Sequence, residues 1–239
     1  MTRLLYHTDS YIQNFSAQVT AVDHENHGVV LDQTAFYPGG GGQPADSGLV
    51  TCSDQSYIVR RARKVGEDVV HILEEDRPLP EIGTAVQGQI DWERRFKLMR
   101  THTAMHILCG VIFRDYGASV TGGDMDPLAG RMDFEFETMQ KELVQTIETA
   151  INLEVANARS VRVEILPRDV AFQIPDLIRT KINLLPEGIL KVRVVEIEGL
   201  DLQADGGTHV KNTAEVGRIR VVDYKSKGKI NKRIYVALD

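Results

Sequence analysis

The sequence predicts an α+β fold in two parts: a small N-terminal antiparallel β-barrel over residues 1–90, then an α+β domain over residues 91–239 with helices packed on a mostly antiparallel sheet. Three observations carry this. Short β-rich runs separated by turn formers fill the chain before Asp91, a breaker-free helical run follows it, and strand-like runs return after residue 160. At 239 residues the chain can bury one sizeable core or two modest ones.

The strand-like runs of the first part are FSAQVTAV, HGVVLDQTAFY, SGLVTC, QSYIVRRARKV, DVVHIL and TAVQGQI. Their spacing suits a small barrel or sandwich. Val70 and Ile72, and then Ala85, Gln87 and Gln89 beyond the PLPEIG turn, show the alternation of half-buried strands. Asp91 then reads as an N-cap, and the long helix it opens ends near Gly117. Trp92, Phe96, Met99, Thr103, His106, Gly110 and Phe113 recur at steps of four and three and form one stripe, which turns His106 inward. A second helix is expected from Thr138 to about Ala158, with Leu143, Ile147 and Ile151 on one face. Strands are expected at VRVEIL, LKVRVVEIEG, VGRIRVVDY and RIYVAL.

Composition excludes several classes. No run approaches the roughly 18 apolar residues of a membrane span. The first residues lack the apolar segment of a secretory signal, and Cys52 and Cys109 are too few for a disulfide framework, so a reducing cytoplasm is the expected location. A net charge of -6 argues against nucleic-acid binding by bulk attraction, but says nothing of local patches.

The chemistry gathers in THTAMHILCG. Residues four apart on a helix stack on one side, so His102 and His106 can each present a nitrogen to one metal ion; two hydrogen-bonded core histidines would read the same way. No glutamate follows His102, which removes the HExxH protease motif. Cys109 lies about 300° further round than His106 and reads better as a small buried hydrophobe than as a ligand. Further ligands are offered by ADGGTHVKNT, where Asp205 and His209 bracket a glycine pair. A tight bend there brings a carboxylate and an imidazole toward one point, completing a three-histidine, one-carboxylate shell; an ordinary surface turn is the alternative.

HTAMH, GGTHVKNT and DQTAFYPGGGGQPADSG together resemble the three signature segments of the AlaX alanyl-tRNA editing proteins, which are similar to the editing region of alanyl-tRNA synthetase and more distantly to the threonyl enzyme. The resemblance spans nearly the whole chain and is to the medium-length type. It implies a cytoplasmic hydrolase that removes a wrong amino acid, serine or glycine, from alanine-specific tRNA, with one divalent metal, zinc by expectation, on His102, His106, Asp205 and His209. Asp205 stands where the family has cysteine, which keeps the charge of the shell but replaces a soft donor by a hard one.

The same resemblance assigns the contact with the serine hydroxyl to Thr34, close backbone approach to Gly40, Gly41 and Gly42, orientation of water or the substrate carbonyl to Gln43, and either the substrate ammonium or loop support to Asp46; Thr208 joins the substrate-binding set. For tRNA, the basic segment Lys225, Lys227, Lys229, Lys232 and Arg233 is preferred over Arg60–Lys64 and over Arg94, Arg95, Lys97 and Arg100. Two other classes stay open: a non-catalytic aminoacyl-tRNA binding protein with a degenerate metal site, and a metal-dependent hydrolase of a small ester or amino acid.

Overall fold

In the computed structural model, which describes residues 1–74, 77–180, 185 and 188–239, the runs before Asp91 close into an antiparallel barrel. The chain divides into two units, Met1–Phe96 and Lys97–Asp239. In the first, β1 (Arg3–Leu4) pairs in parallel with β4 (Gln33–Thr34). The barrel follows the order β2 (Asn14–Asp23), β3 (Gly28–Leu31), β7 (Asp68–Leu73), β6 (Gln55–Val65), β5 (Gly48–Cys52) and β8 (Ala85–Ile90), which returns to β2. Closure leaves these strands without a free edge. The run HGVVLDQTAFY is broken in two because the Asp32 carboxylate accepts from the amides of Gln18 and Gln33 at 2.8 and 2.9 Å and interrupts the ladder.

Period-2 alternation fills the barrel. Strand β8 buries Val86, Gly88 and Ile90 and exposes the residues between them. With Phe15, Val19, Val29, Leu31, Val50, Val59 and Leu73 they build the core, each large side chain contributing about 1.5–3 kcal/mol. Gly88 faces Phe15 across the β2–β8 pair, and a Cβ there would sit 2.3 Å from the Phe15 ring.

Two polar groups are built into this unit. Arg95 is fully buried; its Nε lies 2.9 Å from Asp46 Oδ1, its Nη2 contacts Asp46 Oδ2, and it donates to the carbonyls of Ser10 at 3.0 Å and Ala35 at 2.6 Å. His71 is equally buried. Its Nδ1 lies 3.2 Å from the Val29 carbonyl, which only accepts, so Nε2 carries the lone pair and takes the Thr34 hydroxyl proton at 2.7 Å. Burial pushes His71 down to about 4, against the opposing bond to Val29.

The second unit is organised on α1 (Trp92–Tyr116), whose start lies in the first. Asp91 caps it through the Arg94 amide, and Gly117, at φ +64°, ends it. The expected stripe is only part of the pattern: Thr101 to Ile112 are buried on every side, as in a helix enclosed by protein. One side meets β10 (Ala129–Glu135), where a Cβ on Gly130 would lie 2.7 Å from Met105 Sδ. Another meets the corner before β13 (Asp201–Ala204), where a Cβ on Gly110 would lie 2.9 to 3.1 Å from Leu200 and Asp201.

Among the described residues of this unit the strands form two antiparallel sheets. The first has the order β14 (Ile219–Ser226), β15 (Asn231–Leu238), β10 and β9 (Val120–Asp126); the second has β11 (Val161–Pro167), β12 (Lys191–Ile197) and β13. Helix α2 (Lys141–Ala156) starts three residues later than expected and buries Val144, Ile147, Ile151 and Glu154, while Leu143 is only half-buried. A single turn, α3 (Arg168–Ala171), follows β11.

The barrel yields two expectations, both readable in the fluorescence of the single tryptophan, Trp92, which packs beside Tyr11 in the first unit. Below pH 6.5 an unfolded imidazole binds a proton that folded His71 refuses until about pH 4, so its contribution is complete above 6.5 and is lost as pH falls to 4. Urea midpoints should drop over that window by the equivalent of about 3 kcal/mol, and His71→Gln should flatten the slope. Arg95→Ala strands a buried carboxylate and two carbonyls and should cost about 3–5 kcal/mol.

Candidate metal centre

Helix α1 delivers His102 and His106 one turn apart on the buried side that faces β13. Beyond Ala204 the chain bends at once: the Asp205 carboxylate accepts the Gly207 amide at 2.7 Å, a side-chain turn that swings His209 back over the helix. The His209 ring stacks on His102 at 4.2 Å between centroids, and His106 stands edge-on to both, at 5.1 Å from His102 and 4.7 Å from His209. His102, His106, Asp205 and His209 each offer one ligand atom, and these four lie within 4.8 Å of one another. A tetrahedral ion with bonds of about 2.0–2.1 Å needs donors about 3.4 Å apart, so small side-chain rotations bring all four into reach.

At three of the four donors the surroundings favour the protonation states that coordination requires. Burial, supplemented by the other imidazoles and Arg193, holds His102 well below the usual imidazole range, and burial brings His209 down to about 4. Both are neutral at physiological pH. Burial raises the Asp205 carboxyl, but His102, then the hydrogen bond and charge of His209, outweigh it and hold Asp205 well below the carboxylate range. His106 differs: burial lowers it, and the Asp201 hydrogen bond and charge turn the balance upward. Neutral imidazoles and an ionised carboxylate are what a divalent cation binds, so the donor set fits one. Cys109 stays out. It is buried, accepts from Gln203 Nε2 at 3.3 Å, and its thiol is pushed up by burial first and by Asp201 next, opposite to a ligand thiolate.

The other expected residues fall in several places. Thr34 is fully buried; its proton goes to His71, and its oxygen also accepts the Phe36 amide at 3.1 Å. Gly39 to Gly42 all take positive φ, from 58° to 139°, so the loop needs glycine for its backbone path. Gly40 and Gln43 exchange backbone hydrogen bonds at 3.0 and 2.9 Å, and Gln43 is buried. Asp46 accepts from Arg95 and from the Tyr37 amide. Thr208 is fully buried in the bend beside His209.

The basic segment divides. Lys232 Nζ is spent on the carbonyls of Gly228 and Lys229 at 2.8 and 3.0 Å, and Arg233 forms a two-pronged bond with Asp133 at 2.6 and 2.7 Å. Lys232 is buried and Arg233 half-buried, the latter because cross-strand register pairs it with Asp133. Lys225, Lys227 and Lys229 are exposed, Lys225 beside Asp223. Of the rival patches, Arg95 is internal to the barrel unit. Two neighbours of the centre went unread in the sequence: Asp201, 2.9 Å from His106 Nδ1, and Arg193, which donates to the Asp205 carbonyl at 2.9 Å. Neither has a spacing that marks it.

Comparison with known proteins assigns the family. The family model of class II (A) tRNA synthetases matches residues 7–94, and that of the threonyl and alanyl tRNA synthetase second additional domain matches residues 192–235. The alanyl-tRNA editing protein AlaX-M of Saccharolobus solfataricus is 39% identical over 98% of both chains, and that of Methanosarcina barkeri is 37% identical over 100% of this chain and 99% of its own. The alanine–tRNA ligase of Ignicoccus hospitalis is 39% identical over 92% of this chain, which covers 24% of the ligase. This chain belongs to the AlaX-M family of alanyl-tRNA editing proteins.

Proposed function

We propose that this protein hydrolyses the ester joining serine or glycine to the 3′ end of alanine-specific tRNA, using one divalent ion, zinc by preference, held by His102, His106, Asp205 and His209. The observation that carries the reading is the convergence of three buried imidazoles and a half-buried carboxylate, with His102 and His209 driven neutral and Asp205 held ionised. The names of the relatives supply the reaction class. When bound, such an ion polarises an ester carbonyl or lowers the pKa of a water.

The remaining roles belong to this chain's own groups. Thr34 gives its proton to His71, so its oxygen can serve a cargo hydroxyl only as acceptor. Serine can donate to it and alanine cannot. A site built to bond a hydroxyl loses a hydrogen bond when alanine enters, which is how such sites discriminate. Gln43 orients water or the ester carbonyl, Gly40, Gly41 and Gly42 let backbone approach the substrate, and Thr208 supports the same substrate set. Asp46 keeps the loop in place through Arg95. Lys225, Lys227 and Lys229 contact tRNA phosphates, while Lys232 and Arg233 maintain the hairpin that presents them.

Purified protein should release serine from mischarged alanine-specific tRNA faster than it releases alanine from the correct ester, and chelation should slow serine release. Thr34→Val should narrow the serine to alanine ratio. Equal release of both by the unmodified protein contradicts the role given to Thr34. Charge reversal at Lys227 and Lys229 should weaken tRNA binding and reduce the salt dependence by roughly one unit of log–log slope per lysine. Unchanged turnover in that variant points instead to a small ester or amino-acid substrate.

A further inference from the structure

We infer that Asp201 is a positioning residue of the metal centre: it fixes His106 as the tautomer protonated on Nδ1, so that Nε2 becomes the donor atom. The inference rests on the metal reading above and assigns a role to a residue outside the four ligands.

Asp201 begins β13, four residues before Asp205, and its side chain is fully buried. Its Oδ2 lies 2.9 Å from His106 Nδ1 and 2.7 Å from Gln203 Nε2. The Gln203 amide nitrogen also faces Cys109 Sγ at 3.3 Å, so its two protons point one to each acceptor. A carboxylate only accepts, and His106 Nδ1 must therefore carry the proton. A neutral imidazole protonated there has its lone pair on Nε2, the remaining nitrogen available to the cluster with His102, Asp205 and His209. Partners of this kind, on the far nitrogen of a metal-binding histidine, set both ring orientation and donor strength.

Two further contacts hold Asp201 in place. Arg179 Nε lies 3.6 Å from Oδ1, with its guanidinium stacked 3.6 Å above the Phe113 ring, so a cation faces the buried carboxylate. Gly110 lies one turn beyond His106, and a Cβ there would come within 3.0 Å of the Asp201 Cβ and 2.9 Å of Leu200. The missing side chain lets the strand corner approach the helix closely enough for the bond to form. A merely structural carboxylate, paired with Arg179, would need neither the contact with His106 nor this approach.

The test begins with metal-free, unmodified protein at a pH where His106 is neutral. Imidazole 15N shifts should show the Nδ1-protonated tautomer, and finding the Nε2-protonated form overturns the inference whatever any variant does. Calorimetry with zinc should then show Asp201→Ala binding about 10- to 100-fold more weakly. Asp201→Asn, which keeps an oxygen acceptor, should recover most of that loss and retain the tautomer; should the Ala variant fail to fold, this variant's tautomer decides. Zinc binding by a folded Asp201→Ala that matches the unmodified protein overturns the role of Asp201 alone. Absence of zinc binding in the unmodified protein overturns the metal reading beneath it as well.

Discussion

Three buried imidazoles and a half-buried carboxylate around one point impose the constraint on which this unit depends. Buried polar groups are costly unless partnered, and the Asp201 and Asp205 carboxylates must be balanced by nearby cations or protons. The protein meets part of this with its own groups: Asp205 takes the Gly207 amide and lies beside His209 and Arg193, and Asp201 faces Arg179 and His106. What remains is a set of donors aimed at a common centre, with two imidazoles driven neutral by burial. Such a donor set can hold one divalent cation.

The fold serves this constraint through α1. A surface helix would present its histidines to water, but this one is enclosed from Thr101 to Ile112, so His102 and His106 are desolvated and their rings are held by packing. Glycines at two helix contacts, Gly130 on β10 and Gly110 on the helix itself, permit the close approaches that enclose it. The bend from Asp205 to His209 then needs little chain to bring the second pair over the first. The barrel unit is stabilised differently, by an alternating apolar interior with two polar inserts, Asp46–Arg95 and Thr34–His71, each fixing part of a segment that the family likeness had singled out.

How much of this was legible follows from the range of each interaction. The helical pair is written in a four-residue spacing, and the barrel strands in alternation and turn residues, so both could be read locally. Asp205 and His209 were legible because a glycine pair between potential ligands marks a bend. Asp201 was not, since its relation to His106 arises only when β13 lies beside α1. The hairpin of β9 and β10 was missed because TGGDMDPLAGRMD carries turn formers and acids that read as loop, whereas its strands are specified by pairing with β15. The same pairing explains the basic segment: Lys232 and Arg233 look like their exposed neighbours in sequence, and only the register shows Arg233 opposite Asp133.

Asp205 stands where the sequence resemblance implies a cysteine, which gives the proposed centre an individual character. Position 205 supplies the negative charge of a thiolate through a hard oxygen, which weakens the preference for soft metals and favours a shell of nitrogen and oxygen alone. Cys109, the nearby sulfur, is kept protonated by burial and by Asp201. X-ray absorption on zinc-loaded protein tests this most directly. One ion per chain is expected, with nitrogen and oxygen neighbours at about 2.0–2.2 Å and no sulfur; a scatterer at about 2.3 Å, or no stoichiometric uptake, would contradict the proposed shell.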